Sequence, residues 1–139
     1  MITQEYKYRV LYADTDAMGV VYHGNYMRLY EAARGDFLDK IETPLSKIGA
    51  AGIITPIIKI NINYLLPIKF DWTVKIITKV EKKPLVRFIF NQEIYSPDEI
   101  LLNKAEITSA FVDANTFKAI RCPEWILNNL EKYDNKTTL

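Results

Sequence analysis

The sequence is poor in the residues that metal and redox sites need. Among its 139 residues are one cysteine, Cys122, and one histidine, His23. A lone thiol excludes an intrachain disulfide framework and fits a reducing compartment. One Cys and one His cannot assemble a Cys/His zinc site within the chain, and chemistry that needs two imidazoles per chain is excluded. Glycine is scarce too. Gly19, Gly24, Gly35, Gly49 and Gly52 form neither GxGxxG nor GxxxxGK[ST], so nucleotide folds of those types are unsupported. A Ser-His-Asp triad would have to use His23, but no GxSxG elbow presents a serine. Neither a metal nor a cofactor is expected.

Charge of one sign is also lacking. Eighteen Lys plus Arg stand against seventeen Asp plus Glu, a formal charge of +1, which lacks the basic footprint of a nucleic-acid binder. The longest uncharged apolar stretch, Ile48 to Ile58, is broken by Gly49, Gly52 and Pro56. It falls far below the roughly 18 residues of a spanning helix. Glu5, Lys7 and Arg9 stand where a signal peptide needs an apolar run, so the expectation is a soluble cytoplasmic protein without membrane insertion. What is present is ordinary for a globular chain: 49% hydrophobic and 25% charged residues, at the length of one domain over 1–139.

Periodicity orders the chain. Over 5–12, Tyr6, Tyr8, Val10 and Tyr12 alternate with charged residues, which predicts a half-buried strand. A polar, glycine-containing loop follows. From about Asn25 to Ile41, Tyr26, Tyr30, Ala33, Phe37 and Ile41 recur at helical spacing, with Met27, Leu29 and Leu38 widening the apolar face. That breadth predicts a buried helix, ended by Thr43-Pro44, with one further helical turn in PLSKIG. Beyond Ile53 the period is two: Ile58 to Tyr64, a strand from Trp72, another over 85–94, one over about 100–112, and a short one near 117–120. Pro123 opens a closing helix, PEWILNNLEK. Short turns imply antiparallel neighbours. One long apolar helix and one large antiparallel sheet pack economically when the sheet curls round the helix. The outer face and edges of such a sheet need covering, which predicts a homo-oligomer.

The stretch able to carry chemistry is YADTDAMGVVYHGNY, residues 12–26, in the loop that runs into the most apolar helix. Near a helix start, free N–H groups and the positive end of the dipole can polarise a carbonyl and stabilise an oxyanion. An upstream carboxylate can attack that carbonyl or activate water against it. Loop, carboxylate and helix start are the parts of acyl transfer to water. Asp14 or Asp16 can equally serve to satisfy turn N–H groups, and His23 can be structural. Glu31 and Arg34, at i,i+3 on the helix, read as a local ion pair, and Cys122 as a structural thiol.

The segment YADTDAMGVVYHGNYMRLYEAAR resembles the signature of hotdog-fold acyl-CoA thioesterases of the 4-hydroxybenzoyl-CoA thioesterase family, most of all the small bacterial branch associated with the Tol–Pal system. NYLLPIKFDWTVKI and AFVDANTFKAIRCPEWI are similar to later segments of that family. The resemblance implies an α+β hotdog fold, an antiparallel sheet of five or six strands wrapped round one long central helix. It implies hydrolysis of an acyl-CoA substrate by a homodimer or homotetramer with pockets between subunits. It assigns catalysis to Asp16, as nucleophile or general base, and to His23, whose position polarises the thioester carbonyl through its backbone N–H. Tyr12, Gly24, Asn25 and Tyr26 fall at substrate-binding positions. Lys82 and Lys83 occupy the turn where the family's basic cluster meets coenzyme A phosphate, although Glu81 stands where that cluster would begin. Two other readings remain: a thioesterase acting on acyl carrier protein, and a hotdog protein that only binds acyl groups.

Overall fold

The computed structural model describes residues 1–134 and 139. Strand β1 (Ile2–Arg9) leads through two short 3-10 turns (Tyr12–Asp14 and His23–Asn25) into helix α1 (Tyr26–Lys40). There follow α2 (Leu45–Ala50), β2 (Ile53–Ile54), β3 (Ile57–Tyr64), β4 (Thr73–Val80), β5 (Arg87–Tyr95), β6 (Leu101–Ala110), β7 (Val112–Asp113) and α3 (Glu124–Asp134). Five strands form one antiparallel sheet in the order β1-β4-β5-β6-β3, and β2 pairs with β7 in a small second sheet. The large sheet curls round α1, as the alternation and the breadth of the helix's apolar face require.

The inner faces follow the period-two reading. Val74, Ile76 and Val80 on β4, and Phe88, Phe90 and Ile94 on β5, are buried. They pack against Tyr26, Leu29, Tyr30, Ala33, Phe37 and Leu38 of α1. The core is in two clusters, one around the first half of α1 and one around its second half. Between them runs a buried polar rung. Gln4, Thr78 and Gln92 are direct neighbours across β1, β4 and β5, and Gln92 Nε2 donates to Thr78 Oγ1 at 2.9 Å and to the Tyr30 carbonyl at 3.1 Å. A one-residue slip would turn these polar groups onto the wet face and the wet face into the core, so the rung fixes register.

Four expectations are corrected. The first strand runs 2–9 rather than 5–12, because the Asp14 carboxylate captures the Leu11 N–H and draws Tyr12 into a 3-10 turn. The segment near 117–120 makes only an isolated bridge, Ala119 to Val112. Asp113 there accepts the N–H groups of Asn115 and Thr116 and folds the chain into a turn, with Phe117 at φ 57°. The sheet's outer face needs no cover: Asn61, Asn63, Asn91, Lys104 and Glu106 line it, and Lys79 pairs with Glu93 at 3.1 Å. Glu31 and Arg34 form no ion pair among the described residues; Arg34 turns inward and donates to Gln92 Oε1 at 3.0 Å. Cys122 lies in the core, and burial pushes its thiol up to about 12, in keeping with a structural role.

A contiguous run of apolar exposure sits at one edge. Ile57, Ile58, Ile60 and Tyr64 on β3, with Leu65 and Leu66 just beyond, are each 42% to 50% exposed. No helix of the described residues is long and apolar enough to cross a membrane.

Candidate active site

The two acidic residues of the Asp-Thr-Asp triplet have opposite environments. Asp14 is fully buried. Its carboxylate accepts from the Tyr8 hydroxyl at 2.7 Å and the Leu11 N–H at 2.8 Å, and it pairs with Arg28 of α1. Its own carbonyl takes the Tyr22 N–H at 3.0 Å and Asn25 Nδ2 at 2.9 Å. Burial opposes the charge, but the bonds from Tyr8, Leu11 and Arg28 outweigh it and hold the Asp14 carboxyl below its ordinary value. Asp14 therefore staples β1, the loop and the start of α1 together.

Asp16 sits at the mouth of a tight reversal. Its N–H donates to the Val20 carbonyl at 3.0 Å, and its carbonyl accepts the Gly19 N–H at 3.1 Å. Gly19 holds φ +79°, a left-handed conformation that glycine adopts without cost. Oδ1 of Asp16 accepts the Met18 N–H at 2.8 Å, an Asx turn that orients the side chain. No hydrogen bond from the described residues engages Oδ2. The reversal is pinned to the sheet, Val21 N donating to the Ile68 carbonyl at 2.8 Å and Phe70 N to the Gly19 carbonyl at 3.2 Å.

The helix start is left open. Neither the His23–Asn25 turn nor α1 has a side-chain cap. Asn25, the natural candidate, spends its amide on the Asp14 carbonyl. Its N–H closes on the Tyr22 carbonyl at 2.8 Å, and the N–H groups of His23 and Gly24 meet no acceptor among the described residues. Unsatisfied N–H groups at a helix start are able to stabilise an oxyanion. A Cβ at Gly24 would come within 2.8 Å of Cε2 of the exposed Tyr22 ring, which would have to shift to admit it. The exposed His23 ring lies 4.3 Å from that of Tyr22. Antiparallel pairing of Thr15 with Val21 lays Asp16 back along this segment.

Tyr64 was not a candidate from the sequence. Its hydroxyl donates to the His23 carbonyl at 3.0 Å, and its ring meets that of buried Tyr26 edge-on at 4.8 Å. The only signal was a phenol at the end of the apolar series Ile58, Ile60, Ile62, Tyr64. Burial also pushes the Tyr26 phenol up. Tyr12 is 81% exposed and stands edge-on to Phe70 at 5.6 Å, at the rim of the loop. Lys82 and Lys83 are not brought here. They follow Val80, which pairs with Ile2, whereas the loop leaves β1 after Arg9, paired with Thr73 at the other end of β4.

The thioesterase-like superfamily model matches residues 10–130. The chain belongs to that superfamily. The acyl-CoA thioester hydrolase YbgC of Escherichia coli is 32% identical over 119 residues, 86% of this chain and 89% of the relative. A solved DHNA-CoA thioesterase from Staphylococcus aureus superposes with a TM-score of 0.87 at 30% identity, covering 100% of this chain and 99% of that one. A 4-hydroxybenzoyl-CoA thioesterase solved with 4-hydroxybenzoyl-CoA shares the fold, with a TM-score of 0.82 at 21% identity over 93% of this chain and 99% of its own. The hotdog architecture is thus common to this thioesterase and to those structures.

Proposed function

We propose that this thioesterase hydrolyses acyl-CoA to a free carboxylic acid and coenzyme A, with Asp16 as the reacting carboxylate and the His23–Asn25 turn as the oxyanion site. The observation that carries the reading is the division of labour between the two aspartates: Asp14 is wholly engaged in structure, while Asp16 keeps an oxygen free. The thioester oxygen accepts the open N–H groups at the helix start. Asp16 either attacks the carbonyl carbon, forming a mixed anhydride that water opens, or takes a proton from the attacking water. In both routes the carbon–sulfur bond breaks, sulfur leaves as thiolate and is protonated, and water supplies the acid's second oxygen. Tyr12, Gly24, Asn25 and Tyr26 shape the entrance and the turn.

The working form is a cytoplasmic homodimer paired through β3. An open edge rich in exposed apolar side chains is a template for another strand, and a copy of itself pairs with it antiparallel about a two-fold axis. Lys82 and Lys83 reach coenzyme A only across a subunit boundary, since within one protomer they lie at the far end of the sheet. Asp16→Asn should bind acyl-CoA in calorimetry yet lose turnover by orders of magnitude in a thiol-release assay. Hydrolysis at the wild-type rate would overturn the assignment.

A further inference from the structure

On the concave face of the sheet, β6 breaks its own pattern. Its inward series runs Asn103, Ala105, Ile107, and Asn103 is a fully buried carboxamide where an apolar residue would continue the core. Its Oδ1 accepts the Tyr30 hydroxyl at 2.6 Å. Its Nδ2 meets no acceptor among the described residues. A buried amide left unpartnered costs stability, and an apolar pair at positions 30 and 103 would carry no such cost. Stability therefore gives no account of this asparagine.

Its contacts point elsewhere. Tyr30 lies roughly 7.5 Å along the axis of α1 from Asn25, at a rise of about 1.5 Å per residue. The sheet holds it twice. Asn103 on β6 takes the phenol, and Gln92 Nε2 on the neighbouring β5 donates to the main-chain carbonyl at 3.1 Å. Two attachments on two strands fix the rotation of α1 and its position along its axis. Hydrophobic burial is non-directional and leaves both loose by comparison, whereas a hydrogen bond is made only within a narrow range of distance and angle. Asn103 is also the register partner of Tyr64, whose hydroxyl holds the His23 carbonyl. Position 103 thus adjoins both tyrosines that tie the helix start to the sheet.

We propose that Asn103 is a positioning residue for the oxyanion site and acts through Tyr30. The proposal rests on the reading of the chain as an acyl-CoA hydrolase whose oxyanion is held at the His23–Asn25 turn. The open N–H groups of His23 and Gly24 travel with α1 when it slides or turns. A misplacement of about 1 Å at a reacting centre can cost about a hundredfold in rate. The Tyr30–Asn103 bond therefore bears on turnover more than on folding.

The test separates positioning from folding. Tyr30→Phe and Asn103→Leu each leave one polar partner buried and alone, so each should lower Tm. The double variant Tyr30→Phe/Asn103→Leu leaves neither, and its Tm should return to that of wild type or above. Thiol release is then followed with whichever of acetyl-, hexanoyl-, palmitoyl- and benzoyl-CoA the wild type hydrolyses fastest. The double variant should keep a kcat about tenfold below wild type at unchanged KM, the signature of an interaction made in the transition state. Recovery of kcat together with Tm overturns the proposal, as does a rise in KM at wild-type kcat. A second measurement covers a double variant that fails to fold. Tyr30→Phe removes one oxygen and should move the amide resonances of Gly24 and Asn25; shifts confined to the surroundings of residues 30 and 103 overturn the proposal. A wild type inert toward all four thioesters overturns the enzymatic reading instead, and the resonances then decide whether Asn103 sets the helix start.

Discussion

The two ends of α1 are built on opposite principles. At its far end Phe37, Leu38 and Ile41 enter a dry cluster with Ile2, Val80, Ile126 and Leu130, where Phe88 stacks on Phe90 at 4.3 Å and Phe37 meets Phe90 edge-on at 5.9 Å. Hardly a polar group is left to satisfy there. At its near end an aspartate is buried among donors, the helix start has no cap, and a second aspartate keeps an oxygen free. The far end makes the fold stable. The near end withholds hydrogen bonds that stability would use, and those open groups are what the proposed site offers a substrate.

Substitutions on each side should separate the two properties. The largest effect on stability belongs to the dry end. Phe37 is fully buried, and Phe37→Ala should lower the unfolding free energy by about 3–5 kcal/mol, read by urea denaturation. In the same assay Asp16→Asn should fall within about 0.5 kcal/mol of wild type, because the amide oxygen still accepts the Met18 N–H. Comparable losses from both variants would break the division between the ends.

Asp14 tests the boundary, since it is structural but lies at the near end. Asp14→Asn sets an amide NH₂ among donors and should cost about 1–3 kcal/mol at neutral pH. The sign of its pH dependence is fixed by the depressed native carboxyl. Its stabilisation is fully present above the unfolded-state value of about 3.9 and is lost as the pH falls through the lower folded value. The gap between wild type and Asp14→Asn should therefore hold from pH 7 to about 5 and narrow below about 4. A gap independent of pH down to 3 would show that Asp14 contributes packing rather than charge.

Much of the far end was legible because it obeys local periods. Phe88, Phe90 and Ile94 alternate, Tyr30, Ala33 and Phe37 recur at helical spacing, and each pattern names its buried face without knowledge of its partner. The near end obeys contacts distant in sequence. Asp14 and Asp16 look alike in the Asp-Thr-Asp triplet, and only Tyr8 and Arg28, brought round by the fold, divide them. The resemblance pointed to Asp16; the residues alone did not. The expected Glu31–Arg34 pair failed for the same reason, as the local spacing rule lost to a buried acceptor, Gln92, 58 residues away from Arg34. Tyr64 lies 41 residues from His23, and no pattern in the chain couples them.

The smallest expected change is the most specific to the near end. The His23 carbonyl and the Gly24 N–H are opposite ends of one planar peptide. A hydrogen bond from Tyr64 to that oxygen fixes the direction in which the Gly24 N–H points and strengthens it as a donor. Tyr64 is thus expected to act as a positioning residue for the proposed oxyanion site, on the same edge strand through which the dimer is proposed to form. Removal of an oxyanion donor costs roughly 10² to 10³ in rate. Tyr64→Phe removes only the group that aims one, so kcat should fall about tenfold while KM and the dimer's sedimentation stay as in wild type. The ring remains against Tyr26, so Tm should move little. A rise in KM at constant kcat would mean that Tyr64 binds substrate, and a loss of the dimer would mean that it holds the interface. Either result would leave the open amides of the helix start without the group that orients them, and the near end would then be poised by Asp14 and Asn25 alone.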